Sequence, residues 1–349
     1  MRRSVFDDAL VEAPESVDDE QLRWLAGAGA RVRRATVNEP QGRLELADRP
    51  RGVLVFGSEA RLVRAVLEPV CPVPFMAWPG PTLPAWVGSL DLVVVLGGYD
   101  AHLWEIKCAG EAARRGATLI VAAPPDSQLA AASAGPGTTL IPDDLADPVA
   151  AAVAVLALLG RLELGPEINP QHVADAADLV AQDCSPLRDL ASNPAKNLAV
   201  ALGEDLPLIW GGTVLAGRAS RRIAEALRRA SGRPALAADA DELETLLRAV
   251  APRDVFVDPF EADIDATPVL VLLDEDKLPD RLLGVPARLA SLADSVGVRV
   301  CRISSGEPGI TITDVERYVT LLQRGRYAAA YLGIGLGDAG RPIWHTDQP

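Results

Sequence analysis

Apolar residues along this chain follow two spacings that alternate. Short unbroken runs stand in 51–57 ("RGVLVFG"), 90–98 ("LDLVVVLGG") and 117–123 ("ATLIVAA"). Between the first two, Leu62, Val63, Val66, Leu67 and Val70 keep the i, i+3, i+4 rhythm of one helix face. Residues 102–115 form the next helical segment. A continuous apolar strand offers no polar face to water, so β-α-β order with such strands predicts a parallel sheet covered on both sides. The pattern then restarts. "DLPLIWGG" (205–212) predicts a strand ending in two glycines, 213–232 its helix, and 267–276 and 298–306 further buried strands.

Helical signals surround these runs. "SVDDEQLRWLAGAGARVRRA" (16–35) predicts one amphipathic helix, with Ser16 and Asp19 as its capping pair. Residues 147–203 read as mainly helical, and within them Asn193 as N-cap with Pro194 at the first helical position marks a helix start. A long helix over 314–335 follows the last strand. The 349 residues suit two ordinary domains. The restart predicts two α/β/α sandwiches, 1–165 with the N-terminal helix and 166–349, each with a parallel sheet of about five strands.

Charge narrows the partners. Acidic residues outnumber basic ones by 48 to 34, a formal charge of −14, which opposes binding to nucleic acid or to an anionic membrane. The short basic clusters at 31–34, 221–222 and 228–229 read as solvated helix faces. Cys71, Cys108, Cys184 and Cys301 form no Cys-x-x-Cys pair, and with His102, His172 and His345 they give no metal-ligand spacing. Free thiols in a reducing cytoplasm are expected, with no metal and no cofactor. "MRRSVFDDALVEAPES" lacks the apolar stretch of a signal peptide, and "DPVAAAVAVLALLG" (147–160) is shorter than the roughly 20 residues a membrane span needs. A soluble cytoplasmic protein is expected.

Candidate chemistry is sparse. Neither "FGSEAR" (56–61) nor "LGGYDAH" (96–102) has the G-x-G-x-x-G spacing of a dinucleotide site, and "GIGLGDAG" (333–340) follows a helix rather than a strand. No phosphate-binding P-loop and no nucleophile elbow is present. The turn after the 90–98 run lies where an α/β protein holds an anion, yet "LGGYDAHL" contains no Ser, Thr, Lys or Arg and does contain Asp100.

The order of pieces carries more. Gly57-Ser58 after the first strand, "LPAWVGSLDLVVVLGG", "AARRGATLIV", "NPAKNLAVALGEDLPLIWGG" and "SGRPALAADADELETLL" together resemble the double sugar-isomerase (SIS) domain family of bifunctional phosphoglucose/phosphomannose isomerases. The likeness is greatest to its divergent actinobacterial, TobH-like branch. It spans nearly the whole chain and is most specific over 193–211, with "LLQRGRYAAAYLGIGLG" (321–337) similar to the family's last helix. It implies two flavodoxin-like parallel-sheet domains joined by helices, the second of the bacterial phosphoglucose isomerase C-terminal type. It also implies a site that moves a proton between C2 and C1 of a sugar phosphate, and a homodimer.

The resemblance assigns phosphate binding to Gly57 and Ser58, and to a Ser-x-Ser-Gly-x-Thr turn that falls on 96–102, where only the backbone of Gly97 and Gly98 is left to serve. The family's Pro-Arg falls near "DDLADP" (143–148), which is acidic. Counting from Pro234-Ala235, the family's catalytic Glu position holds Arg229 and its His position holds Thr245, although Glu242 is kept. Arginine stays protonated near neutral pH and threonine cannot shuttle protons as imidazole does. The expectation is a non-catalytic SIS protein, either a sugar-phosphate sensor or a regulator of a protein partner such as an enzyme of mannose-phosphate metabolism. The alternative is an active aldose–ketose isomerase with a rebuilt site.

Overall fold

A computed structural model describes residues 5–13, 18–37, 48–145, 147–250, 267–274, 278–306 and 312–337. It contains two compact units, Ala28–Asp175 and a second formed by the described residues before and after that span. The chain opens with helix α1 (Asp8–Glu12), then α2 (Glu20–Ala26) and α3 (Ala28–Val37). The single helix expected over 16–35 is therefore two. Gly27 breaks it: its N–H bonds back to the carbonyls of Arg23 and Trp24, and glycine has little tendency to continue a helix. Asp19 caps α2, its carboxylate accepting from the N–H groups of Gln21 and Leu22 at 2.9 and 3.0 Å, while Ser16 lies outside the described residues.

The first unit continues with β1 (Val53–Gly57), α4 (Ala60–Leu67), β2 (Phe75–Ala77), β3 (Leu92–Leu96), α5 (Leu103–Arg114), β4 (Thr118–Ala123), α6 (Gln128–Ser133), β5 (Thr138–Pro142) and α7 (Pro148–Arg161). Its strands form one all-parallel sheet in the order β2-β1-β3-β4-β5. Leu54, Phe56, Val93, Val95, Leu119 and Val121 pack against α5, α6 and the segment that leads into β3. The alternate residues face α4 and α7, and α7 is buried from Val149 to Leu159 because it carries only Ala, Val and Leu there. Each such Val or Leu contributes about 1.5–3 kcal/mol on burial.

After α8 (Pro170–Asp183) and α9 (Pro194–Ala201) come β6 (Leu206–Gly211), α10 (Val214–Ser231), β7 (Leu236–Ala237), α11 (Ala240–Arg248), β8 (Pro268–Asp274), α12 (Val285–Ser295), β9 (Arg299–Ser304) and α13 (Asp314–Gly335). The second sheet is again all-parallel, in the order β7-β6-β8-β9, with four strands among the described residues rather than about five. Leu208, Trp210, Leu270 and Leu272 pack with α11 and α12. The other face meets α10, against which α13 lies, and every α13 residue from Val315 to Gly335 except Arg324 is buried. No helix of the described residues is long and apolar enough to cross a membrane.

Candidate functional site

In the first sheet the chain reverses its direction of growth between β1 and β3, and the crevice at the carboxyl ends of such strands is where open α/β sheets hold ligands. Gly57 sits at that point, paired with Leu96, at φ +104. A side chain there would overlap the Leu96 carbonyl oxygen. The close approach leaves no room for a side chain at this position. The Ser58 N–H donates to the Leu96 carbonyl at 2.9 Å, and the Ser58 hydroxyl donates to the same oxygen at 3.4 Å. The Gly97 N–H donates to the Ala122 carbonyl at 3.0 Å, and the Gly98 carbonyl accepts from Ala101 at 3.3 Å. A Cβ on Gly97 would come within 2.7 Å of the Leu129 side chain, so this glycine permits packing of α6 on the turn. The fold thus brings Gly57, Ser58, Gly97 and Gly98 to one edge and directs three of their donors inward.

The helix ends at this edge meet side chains of their own unit. At α5 the buried Glu105 carboxylate, 7 % exposed, accepts from the His102 N–H at 2.8 Å and sits where the helix dipole would favour an external anion. Burial pushes the Glu105 carboxyl above its ordinary range, and the His102 N–H offsets part of that rise. At α7 the Asp147 carboxylate accepts from Val149 and Ala150 at 3.0 and 3.3 Å and pairs with the Arg31 guanidinium at 2.6 Å. Asp143 accepts from the Asp147 N–H at 3.3 Å, and burial, with the Asp147 charge beside it, pushes its carboxyl up to about 7. Glu59, next to Ser58, is fully buried as well. Acidic groups therefore occupy the N-terminal ends of α5 and α7.

The positions that the family resemblance marks as catalytic lie in the second unit. Arg229, in the last turn of α10, donates to Glu225 one turn earlier at 3.3 Å. Thr245 is exposed on α11 and donates to the Asp241 carbonyl of its own helix at 2.9 Å, and Glu242 is exposed beside it. Because α10 and α11 cover opposite faces of the second sheet, Arg229 and Thr245 are carried on different sides of it. The segment 193–211 forms α9 and β6, and its first residues make structural contacts. Asn193 caps α9 through Ala195 and Lys196, and the buried Lys196 ammonium reaches Glu12 at 2.8 Å and the face of Tyr331 at 5.6 Å.

Sequence reasoning passed over Glu105, Asp143 and Asp147. Glu105 carried one signal, its place three residues after His102, but histidine is a weak N-cap and the pattern does not stand out. The two aspartates were visible only as an acidic stretch.

No protein-family model and no curated protein matches the chain. Solved structures do. A tagatose-6-phosphate ketose/aldose isomerase from Escherichia coli aligns over 100 % of this chain and 99 % of its own, with a TM-score of 0.64 at 12 % identity. The C-terminal domain of a glucosamine-fructose-6-phosphate aminotransferase from Francisella tularensis aligns over 91 % and 96 %, with a TM-score of 0.60 at 11 % identity. A glucose-6-phosphate isomerase-like protein from Thermus thermophilus aligns over 97 % of both chains, with a TM-score of 0.51 at 18 % identity. The architecture is that of the SIS-type phosphosugar isomerases, two parallel-sheet domains in one chain. At this level of identity the likeness is one of fold alone.

Proposed function

We propose that the chain is a non-catalytic protein of the phosphosugar-isomerase fold, and that it acts by binding a partner protein in carbohydrate-phosphate metabolism. One observation carries the reading: the donors that would surround a phosphate at the first crevice, the Ser58 N–H, the Ser58 hydroxyl and the His102 N–H, are held by Leu96 and Glu105. A sugar phosphate entering there would have to break those bonds and sit beside Glu59, Asp100 and Glu105. Support also comes from Arg229 and Thr245, whose polar groups are engaged within their own helices. The sugar-phosphate sensor stands second, since the crevice is in the right place but closed to a dianion.

Two assays on the purified chain test the proposal together. Glucose 6-phosphate and fructose 6-phosphate at several millimolar are expected to leave the melting temperature unchanged. A ligand at about 100 times its dissociation constant would add about 2.7 kcal/mol and raise it by several degrees. A coupled assay is expected to show no interconversion. Turnover near one per second with fructose 6-phosphate, abolished by Ser58→Ala, would overturn the non-catalytic reading.

A further inference from the structure

Strands β3, β4 and β5 end side by side. Leu96 pairs with Ala122 and Ala123 with Pro142, so each of these strands leaves the sheet about 4.8 Å from the next, with β4 between the other two. Two kinds of side chain stand out among the solvent-facing residues of the loops that follow. Three are large and apolar: Tyr99 is 55 % exposed, Leu103 64 % and Leu145 47 %. Three are exposed carboxylates, Asp100, Asp126 and Asp144. The Tyr99 hydroxyl donates to Asp126 at 2.8 Å, which ties the first loop to the second, and the charge of Asp144 in the third also acts on the Tyr99 phenol.

Few cations balance this rim. Arg34 reaches Asp144 at 3.4 Å, Lys107 is exposed one turn after Leu103 on α5, and His102 is exposed just before that helix. The positive ends of α5 and α7 face Glu105 and Asp147 instead of solvent. An edge that in this kind of sheet attracts anions has therefore become apolar with a negative border. Single exposed apolar residues are ordinary on a protein surface, but several on the loops of one sheet edge, interspersed with charge, mark a contact surface.

We propose that this rim docks a cationic segment of a partner protein, with an apolar side chain of that segment over Tyr99, Leu103 and Leu145 and its Lys or Arg residues against Asp100, Asp126 and Asp144. The inference rests on the binding reading above and specifies the chemistry of the partner. Charge complementarity selects it. The chain's formal charge of −14 steers a basic segment toward the rim and turns away nucleic acid, anionic lipid and sugar phosphate alike. The apolar trio then supplies the contact that outlasts the encounter.

The test uses the full chain and two short fluorescent peptides, one of Leu, Lys and Arg, the other with Glu in place of each Lys and Arg. The cationic peptide is expected to bind and the acidic one not, with affinity falling as salt rises. Asp100→Asn, Asp126→Asn and Asp144→Asn together should weaken binding about tenfold or more, and Leu103→Ser alone should weaken it several-fold. Neutralising Asp241 and Glu242, exposed on α11, should leave it unchanged. Equal binding of both peptides, or an equal loss in the α11 variant, would overturn the proposal. Should the triple variant misfold, Leu103→Ser at an exposed position still decides. Turnover of fructose 6-phosphate would defeat the non-catalytic reading and leave a selective peptide result standing; unselective peptide binding with no turnover would do the reverse.

Discussion

After β1 the chain runs through Gly57, Ser58 and Glu59 into α4; after β6 it runs through Gly211, Gly212 and Thr213 into α10. The parts are alike, a buried strand, glycine, a hydroxyl and a helix. Their uses differ. The Ser58 hydroxyl and N–H turn sideways to Leu96 on the neighbouring strand, and α4 starts without a side-chain cap. The Thr213 hydroxyl turns forward and accepts from the Ala216 N–H at 3.1 Å, capping the 18-residue α10. A short helix that begins without its cap leaves the hydroxyl to join two strands, whereas a long one takes it. In neither turn does the hydroxyl simply face solvent, so in this chain glycine followed by a hydroxyl marks a structural tie in both units.

The sharpest way to break this comparison is to add one carbon to each turn. In Gly57→Ala the new Cβ overlaps the Leu96 carbonyl oxygen at a backbone of φ +104. The expected loss exceeds about 3 kcal/mol, from overlap and left-handed backbone together. Gly211→Ala overlaps the Ala216 backbone without a left-handed φ, and about 2 kcal/mol is expected. Urea unfolding of both variants measures the difference. Equal losses would show that backbone handedness is not what holds the first turn shut.

A pH dependence is expected from the first unit, next in size. Asp143 carries a proton to about 7 in the folded chain, against 3.8 as its ordinary value. The folded state thus binds that proton more tightly than the unfolded state. Its contribution to stability is full below about pH 4, declines as pH rises toward 7, and is level above that. A shift of this size corresponds to at most about 4 kcal/mol. Asp143→Asn should flatten the fall between pH 4 and 7 in urea midpoints. If the wild-type curve keeps its slope in that variant, the slope belongs to another group.

How much of this was legible in the sequence follows from what each residue answers to. The central strands announce themselves because they are buried on both faces and admit only apolar residues. Strands β2 and β7, of three and two residues, lie at sheet edges and are partly exposed, so they leave no pattern to read; β9, expected over 298–306 as a buried strand, is also an edge strand in which only Ile303 is buried. The helix over 16–35 looked continuous because its apolar spacing runs through Gly27 undisturbed. At the site, some departures from the resemblance could be seen: no Ser or Thr in 96–102, and Arg229 and Thr245 at the positions the resemblance marks for a base and an imidazole. What had been redirected could not. That Ser58 bonds Leu96 depends on the pairing of β1 with β3, a long-range register that local periodicity does not determine. Similarly, the segment most like the family in wording holds α9 to α1 and α13 through Lys196.

Smaller effects sharpen the contrast between the two hydroxyls. Thr213→Ala removes a helix cap, and about 1 kcal/mol is expected. Ser58→Ala removes only the longer of two bonds to Leu96, leaving the N–H bond at 2.9 Å in place, so about 0.5 kcal/mol is expected. Thermal unfolding should rank the pair in that order. The reverse order would mean that the Ser58 hydroxyl does more than tie the strands.

The last change is the one that looks most like a repair. Arg229→Glu with Thr245→His places the two residue types at the positions the resemblance marks as catalytic. On α10 the new carboxylate would face Glu225 one turn earlier, losing an ion pair and gaining a like-charge pair, together about 0.4–1 kcal/mol. Thr245 is exposed and bonded to its own helix, so histidine there should be close to neutral. Stability should therefore fall by about 1 kcal/mol at most, and activity should not appear. The restored base and imidazole would still be carried on opposite faces of the second sheet. The Leu96 carbonyl would still hold the Ser58 donors, and a sugar phosphate would lack the grip whose orienting effect is worth several kcal/mol of the barrier. A coupled assay on the double variant with fructose 6-phosphate decides it: turnover above background would mean that these two side chains alone separate this chain from an isomerase.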